Sequence, residues 1–402
     1  MSTEWICCQL GAREHYAVAR ALSQAGSLRA LLTDAWVRPG SALGALHPSL
    51  GGRYHRELAS ASVISWNTGL LVFEVQARAR GLSGWSLIMS RNHWFQRRAL
   101  VGLARLAAKS TSPPTLFAYS YAALELLRFA KTQGWRTVLG QIDPGPVEER
   151  LVGRLHGQAV GLQSRWTPAP DAYWQLWREE CALADQILVN STWSRTALVE
   201  EGIPGEKIEI VPLAFDPPDG AAGFQRKYPV AFSAERPLRV LFLGQVNLRK
   251  GMQPVLDAMR LLQDLPVELT IVGASELEIP VDLQAHPRIH WIGPVPRDSV
   301  AKFYREADVF LFPTFSDGFG LTQLEAQAWK LPIIASPFCG DVVRQGRNGW
   351  VLPQVTAHAI AGQLSACVRT PVLLAEAAIE SQVEAPHTLS AVGASLLRLG
   401  SK

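Results

Sequence analysis

The sequence predicts an α/β protein of two similar-sized, doubly wound domains, each built on a largely parallel sheet, with a cleft between them. Apolar strand-like runs alternate with helical patterns along the chain, which is typical of parallel sheets covered by helices. The length of 402 residues is more than one ordinary core holds. Residues 217–237 contain several prolines and scattered charge and interrupt the pattern, as an interdomain connection does.

The N-terminal half is predicted to begin with a strand at residues 5–10, a turn at Gly11 and a helix at residues 14–24. Helical periodicity turns four side chains of that helix towards the core: Tyr16, Val18, Ala21 and Leu22. Further apolar runs predict strands at residues 28–33, 115–118, 137–140, 186–190 and 208–212, and a helix at residues 192–200.

The α/β pattern restarts after the connection. Strands are predicted at residues 239–243, 268–272, 290–292, 310–313, 333–335 and 350–352, with helices at residues 251–262, 299–306 and from 322 onward. We therefore expect an N-terminal domain of residues 1–225, a C-terminal domain of residues 226–375 and a helical segment of residues 376–402. Whether that segment packs back on the N-terminal domain is left open.

Composition favours a well-packed soluble protein, since 48% of the residues are hydrophobic and 18% are charged. We find no apolar stretch long enough to span a bilayer and no secretory signal at the start of the chain, so we expect a cytoplasmic location. The five cysteines form neither a disulfide framework nor a zinc spacing. The net charge of +4 permits an anionic substrate or membrane surface, whereas nothing indicates nucleic-acid binding.

A basic amphipathic segment at residues 86–109 mixes large apolar side chains with arginines. Such a helix can lie on an anionic membrane, and it more often packs its apolar face on its own domain. Peripheral contact with the inner face of a membrane therefore stands as one of two interpretations.

Residues 310–328 form the most informative segment of the chain. An apolar strand is followed by a loop and a helix, and two carboxylates, Asp317 and Glu325, stand seven residues apart on either side of Gly318 and Gly320. A strand, a glycine-bearing loop and a helix N-terminus suit an anion, and the carboxylates suit hydroxyl groups. The same residues also fit a capping box from Thr322 to Glu325 after an ordinary turn.

A second informative segment covers residues 242–251, again a strand, a glycine (Gly244), a short loop and a helix start. Arg249 and Lys250 lie in that loop, where two adjacent cations can neutralise a diphosphate. The alternative is a solvated Arg-Lys pair at a loop. The first βα turn carries Gly11 alone, so the dinucleotide fingerprint is missing. Phosphate-loop, zinc-protease and nucleophile-elbow motifs are missing as well.

These segments, together with residues 190–216 and 340–352, resemble the family 4 retaining glycosyltransferases of the GT-B fold, most strongly over residues 190–353. The resemblance implies transfer of a hexose from a UDP- or GDP-linked sugar to a hydroxyl of a glycan, a glycolipid or a small molecule. It implies retention at the anomeric carbon. It also implies that no cofactor or metal is required.

The resemblance also implies roles for individual residues. Arg249 and Lys250 would contact the donor diphosphate, Asp317 the sugar hydroxyls and Glu325 the ribose. The remaining donor contacts would come from Gly244, Gly318, Phe319, Gly320, Leu321 and Thr322 near the phosphates, Val295 near the base and Gly11 across the cleft.

Three departures from the family pattern stand out. The first carboxylate is Asp317 where the family usually has glutamate, and Gln245 replaces an arginine. A histidine that the first domain often supplies is not evident, and Asp143 is the substitute that the sequence offers. A nucleotide-sugar epimerase and a non-catalytic partner protein therefore remain alternatives. Tryptophans of the first half are candidates for an acceptor-stacking surface: Trp66, Trp94, Trp166, Trp174 and Trp177.

Overall fold

The computed structural model describes residues 4–41, 52–109, 112–164 and 166–400, and these ranges form two α/β domains. Residues 1–3, 401 and 402, at the ends of the predicted domains, lie outside the described residues. The described part of the N-terminal domain holds a seven-stranded sheet in the order β3-β2-β1-β4-β5-β7-β8. Its strands are β1 (Trp5–Gln9), β2 (Leu28–Thr33), β3 (Val63–Ser65), β4 (Thr115–Tyr119), β5 (Arg136–Gly140), β7 (Gln186–Val189) and β8 (Ile208–Ile210).

The C-terminal domain holds a six-stranded sheet in the order β12-β10-β9-β13-β14-β15. Its strands are β9 (Leu238–Leu243), β10 (Val267–Val272), β12 (Ile289–Gly293), β13 (Val309–Phe312), β14 (Ile333–Ala335) and β15 (Gly349–Val351). Neighbouring strands are parallel throughout both sheets. A further antiparallel pair, β6 (Gln163–Ser164) with β11 (Leu277–Glu278), joins a segment of one domain to a segment of the other.

Helices cover both faces of each sheet. In the N-terminal domain they are α1 (Ala17–Gln24), α2 (Asn67–Ala79), α3 (Gly84–Ala107), α4 (Leu124–Thr132), α5 (Pro146–Gln158), α6 (Asp171–Leu183) and α7 (Thr192–Glu200). After the connection they are α8 (Met252–Leu261), α9 (Val281–Gln284), α10 (Val300–Glu306), α11 (Thr322–Ala328), α12 (Ala357–Arg369), α13 (Val372–Glu380) and α14 (Leu389–Gly400).

Successive residues of the central strands enter different cores. Ile6 and Cys8 pack in one core of the N-terminal domain, whereas Trp5 and Cys7 pack in the core on the opposite face. Because side chains alternate along a strand, a sheet buried on both faces needs apolar residues at every position. The uninterrupted apolar runs of the sequence have this origin.

The predicted fold class is confirmed, and each predicted strand lies within one or two residues of an observed strand, whereas β3, β6 and β11 were not predicted. The first helix is the main error, because it begins at Ala17 instead of residue 14. Arg13–Tyr16 form a single 3-10 turn, in which Glu14, His15 and Tyr16 all have left-handed backbone angles, with φ of 50°, 52° and 61°. Helical periodicity cannot reveal such a turn, because the buried side chains of the true helix are spaced as they would be in a helix that begins at residue 14.

The basic helix α3 packs its apolar face on its own domain. Phe95, Ala99 and Leu103 belong to the core beneath the sheet, and Gly102 lies directly against Leu32 of β2. Within the described ranges no helix is both long and apolar enough to cross a membrane.

The last helix, α14, packs on the N-terminal domain although it follows the C-terminal domain in the chain. Leu389, Val392, Leu396 and Leu399 join the core that contains Trp5 and the α1 side chains. A Cβ atom on Gly393 would lie 3.2 Å from the carbonyl oxygen of Ala21, so the two helices approach closely. The chain therefore returns to its first domain and links the two domains a second time.

We expect Leu396→Ala to lower the free energy of unfolding by about 2–5 kcal/mol, because Leu396 is fully buried and the truncation leaves a cavity. The exposed Ala394 on the same helix supplies the control variant Ala394→Lys. Urea unfolding followed by circular dichroism measures both. An unchanged transition midpoint in Leu396→Ala would show that α14 contributes nothing to the N-terminal domain.

Candidate active site

The two informative loops of the sequence meet because β9 and β13 are neighbours in the sheet. They are not consecutive in the chain, so the loops that leave their carboxyl ends diverge and open a crevice. Ligands of doubly wound sheets bind at such a switch point. Residues 244–251 follow β9 and residues 313–321 follow β13, which brings Arg249, Lys250 and Asp317 together.

Lys250 and Asp317 form an ion pair in the crevice. Burial alone would raise the pKa of Asp317, but Lys250 and Arg249 outweigh it and hold the pKa below its ordinary value. The ammonium of Lys250 also lies 4.8 Å from the ring centre of Phe312. Asp317 is therefore a charged hydroxyl acceptor at neutral pH, with a cation beside it.

Arg249 joins the two domains. Its guanidinium donates to the carbonyl oxygen of Ser316 over 2.7 Å and lies 3.5 Å from a carboxylate oxygen of Glu148 on α5. The hydroxyl of Ser316 donates to the same carboxylate over 2.7 Å. Burial lowers the pKa of Arg249, but Glu148 and Asp317 outweigh burial and raise it. The cation that we expect at the diphosphate thus already has an anion from the other domain as its partner.

Glu148 is a perturbed carboxyl. Burial is the largest influence and raises the pKa to about 7, Arg249 opposes it, and Asp143 adds to it. Close to neutral pH this side chain changes between a charged partner of Arg249 and a neutral one.

The loop after β13 is held against the N-terminal domain. Ser191, at the start of α7, donates through its hydroxyl to the carbonyl oxygen of Gly318 over 2.7 Å, and Ser194 does so over 3.3 Å. The indole of Trp193 donates to the hydroxyl of Ser316 over 3.0 Å. A Cβ atom on Gly318 would lie only 2.0 Å from the carbonyl oxygen of Ile142. The loop that carries Asp317 is therefore shaped by both domains.

The loop after β9 needs glycine for a similar reason. Gly251 has φ 79°, and a Cβ atom there would lie 2.1 Å from the carbonyl oxygen of Pro313. This close backbone contact fixes Lys250 next to the loop that carries Asp317. Gly244 has φ 145° and opens the same loop.

One of the backbone amides of the Asp317 loop that the resemblance implies for donor contact already makes a hydrogen bond within the loop. The Phe319 amide donates to the carboxylate of Asp317 over 3.2 Å, and the Phe319 side chain is buried. Gly320 has φ 82° and packs on Phe312. Leu321 precedes the first residue of α11, which is Thr322.

Glu325 does not form the capping box that Thr322 allowed, because α11 has no side-chain cap. Its carboxylate instead accepts a hydrogen bond from the hydroxyl of Tyr304 over 2.8 Å. Tyr304 comes from α10, which no sequence motif connected to this helix. The carboxylate is thus positioned by tertiary contact and remains at the crevice end of α11.

The other predicted residues make contacts within their own domains. The Gly11 amide donates to Asp34 over 2.9 Å, and its α-carbon faces Arg53. Val295 follows β12 and packs partly on the core around Phe319. Asp143 accepts hydrogen bonds from Tyr121, Gln141 and the Gly145 amide.

A cavity of about 280 Å³ lies between the domains, beside Arg249. We call it the interdomain cavity, and its lining residues are Trp85, Tyr121, Asp143, Gly145, Glu148, Glu149, Val152, His156, Trp166, Tyr173, Trp174, Gln245, Asn247, Arg249 and Glu276. Of the five candidate tryptophans, Trp166 and Trp174 line it. Trp177 is buried and donates to Gln141, while Trp66 and Trp94 pack on rings within the N-terminal domain.

Sequence reasoning missed Glu148, the serines at the start of α7 and three of the aromatic lining residues, Trp85, Tyr121 and Tyr173. A glycine between two prolines, followed by two glutamates, marks the start of α5 at residues 144–149, but no local signal says which side chain faces Arg249. Among the described residues no group of three or more histidine, cysteine, aspartate and glutamate side chains is placed to hold a metal.

Two parallel-sheet α/β domains around such a cleft define the GT-B architecture, and solved structures of this class align with the whole chain. Sucrose-phosphate synthase from Thermosynechococcus elongatus aligns with a TM-score of 0.65 at 18% identity, covering 99% of this chain and 98% of that chain. The Anabaena protein HepE, in complex with UDP-glucose, aligns with a TM-score of 0.60 at 14% identity, covering 99% of both chains.

Residues 237–370 match the family model of glycosyl transferases group 1. The amylovoran biosynthesis glycosyltransferase AmsK of Erwinia amylovora is 27% identical over 206 residues, which cover 46% of this chain and 49% of AmsK. The chain spans about half the length of the curated relatives that it matches. These matches support a glycosyltransferase of the GT-B type.

We expect Glu148→Gln to bind a UDP- or GDP-sugar about three- to tenfold more tightly than the wild type at pH 8, because it removes a negative charge beside Arg249. In the wild type, affinity should rise as the pH falls through about 7, since Glu148 becomes neutral there. The variant should lack this dependence. Isothermal titration at several pH values measures both effects.

Glu200→Gln is the control for that measurement, because Glu200 is an exposed glutamate on α7, away from Arg249. Weaker binding by Glu148→Gln, or the same pH dependence in both proteins, would contradict the competition between Glu148 and the diphosphate.

We expect Gly318→Ala to separate the domains, since its Cβ atom cannot fit against Ile142 while its backbone φ is ordinary. Small-angle scattering should show a larger radius of gyration, and the emission of Trp193 should shift to longer wavelength as its contact with Ser316 breaks. Gly362→Ala on α12 is the control, because nothing lies near that Cβ position. Scattering identical to the wild type would show that the loop rearranges to accept the extra methyl group while the contact between the domains is kept.

Proposed function

We propose that the protein is a retaining glycosyltransferase that moves a hexose from a nucleotide sugar to a hydroxyl group of a saccharide-containing or other small acceptor. One observation carries the proposal: Lys250, Arg249 and Asp317 converge where β9 and β13 end, in the cleft of a GT-B fold. Two cations suit a diphosphate, and a charged carboxylate suits the hydroxyls of the sugar attached to it.

The mechanism follows from where charge develops. The bond between the anomeric carbon and the diphosphate breaks, and the leaving diphosphate takes the electron pair. Arg249 and Lys250 stabilise that charge inside a closed site, where water competes little. The acceptor oxygen attacks from the face that the diphosphate leaves, and a phosphate oxygen takes its proton. Retention results, and no protein base is needed.

The donor of first choice is a UDP-linked hexose. HepE, which shares the fold, was solved with UDP-glucose, and the relative AmsK is named for amylovoran biosynthesis. Asp317, one methylene shorter than glutamate, leaves more room at the sugar than the usual residue. A screen of UDP- and GDP-sugars by thermal shift, where a ligand that binds the folded state raises its stability, identifies the donor.

We expect Lys250→Ala to lower turnover by at least about tenfold while the protein stays folded, because the leaving group loses a cation. The control is Lys227→Ala, which removes an exposed lysine. Nucleotide release measures the rate, and nuclear magnetic resonance of the product reports the anomeric configuration.

Unchanged turnover in Lys250→Ala would remove Lys250 from the mechanism. Conversion of the nucleotide sugar without any acceptor would indicate an epimerase. Tight donor binding with no consumption, over neutral, amino-bearing and anionic acceptors, would indicate a non-catalytic partner protein.

A further inference from the structure

The interdomain cavity has an aromatic wall that belongs to the N-terminal domain. The rings of Tyr121 and Tyr173 stack with centroids 4.8 Å apart and 18° between their planes. Trp174 stands edge-on to both, and Trp85 leans on Tyr173 with a centroid distance of 4.9 Å. Flat apolar faces of this kind pack on the C–H face of a sugar ring, and they also attract cations.

Hydrogen bonds hold this wall in place. The Tyr121 hydroxyl donates to Asp143 and accepts from Gln141, and the indole of Trp174 donates to Glu149. The indole of Trp85 donates to the carbonyl oxygen of Thr167 over 3.1 Å. The rings are therefore fixed before a ligand arrives, which reduces the entropy lost on binding.

The charge inside the cavity is negative. Its described lining holds four acidic side chains, Asp143, Glu148, Glu149 and Glu276, against the single guanidinium of Arg249, so the acidic groups outnumber it even when Glu148 is neutral. Burial lowers the pKa of His156 against the pull of Glu276, so that ring is neutral at neutral pH. An enclosed cleft lined by one sign of charge concentrates its field and repels ligands of the same sign.

The Tyr173 hydroxyl is buried, and acidic groups lie close to it. Burial raises its pKa first, Asp143 and Glu180 raise it further, and Arg13 from outside the lining opposes them without cancelling the effect. Burial is the main cause of this raised pKa, and the acidic groups act in the same direction.

We infer that the acceptor is a saccharide whose receiving ring carries no phosphate or carboxylate, and that an amino group on that ring strengthens binding. The inference rests on the proposed function and names the substrate class of its second site. Hydroxyl and ammonium groups donate to the carboxylates, and the ring lies on Tyr121 or Tyr173. An anionic ring would meet the carboxylates and also the diphosphate of the bound donor, while Arg249 is engaged by that diphosphate.

The size of the cavity agrees with one ring. About 280 Å³ is close to the lower end of the roughly 300–1,000 Å³ range of small-ligand pockets. A longer acceptor would therefore place its terminal ring here and the rest outside.

The test uses the full chain and four matched rings in each of the gluco, galacto and manno series: the methyl glycoside, its 2-amino form, its 6-phosphate and its uronate. Binding is measured by titration with UDP present, and transfer is measured with the UDP- or GDP-sugars. In at least one series, the amino and neutral rings should bind at least about tenfold more tightly than both anions. Tighter binding by an anionic ring, or no binding by any ring, would overturn the inference.

Two variants test the cause. Glu149→Gln should reduce the ratio of amino-ring to uronate affinity about threefold or more, and Glu276→Gln about twofold, because Glu276 is exposed at the mouth. Glu276→Gln leaves the aromatic wall untouched, so it stays informative if Glu149→Gln disturbs Trp174. Glu278→Gln, at an exposed glutamate outside the cavity lining, should leave the ratio unchanged. Ratios unchanged in the first two variants would show that charge does not select the acceptor.

Thermal shift by nucleotides separates this inference from the proposed function. If the protein binds and consumes a nucleotide sugar but prefers anionic acceptors, only the inference about the acceptor is wrong. If the protein neither binds nor consumes any nucleotide sugar, the proposed function is wrong, whichever rings bind.

Discussion

The pairing of β9 with β13 is the constraint on which the site depends. The two strands are far apart in the chain, and only their adjacency in the sheet brings Lys250 to Asp317. A parallel sheet buried on both faces fixes that adjacency, since a one-residue shift would exchange side chains between two differently packed cores. The packing that stabilises the fold therefore also sets the geometry of the charged site.

Contact between the domains adds the second level of organisation. The carbonyl oxygen of Gly318 accepts from the serines of α7, its α-carbon rests on Ile142, and Ser316 binds Glu148. A loop shaped in this way by both domains holds Asp317 correctly only while the cleft is closed. In the proposed function, this arrangement would couple water exclusion to completion of the site and so protect the donor from hydrolysis.

Charge is distributed unevenly across the cleft. The C-terminal side presents Arg249 and Lys250, whereas the N-terminal side presents Asp143, Glu148 and Glu149 around aromatic rings. The cationic half and the acidic half meet at the Arg249–Glu148 pair. The diphosphate and the uncharged or cationic acceptor ring that we propose both rest on this distribution.

Particular residues show how far sequence patterns reach. Most strands were predictable, because burial on both faces requires continuous apolar runs in the sequence. The loops with Lys250 and Asp317 were recognisable from their glycines and charges. The start of α1 was not, because Glu14, His15 and Tyr16 adopt left-handed angles that the surrounding structure imposes. The capping box at Thr322 was a false expectation, since Tyr304 binds Glu325 instead.

Local periodicity and spacing within a few residues were enough to predict the two parallel α/β domains and the residue types of the loops that carry Arg249, Lys250 and Asp317. Packing of distant segments sets three further features: Glu148 faces Arg249, Ser191 holds the Asp317 loop, and Tyr121, Tyr173 and Trp174 form one wall. These contacts join residues separated by tens to more than a hundred positions. The packing of the sheets and helices decides which side chains meet across such separations in the sequence. Patterns within a few residues do not contain this information.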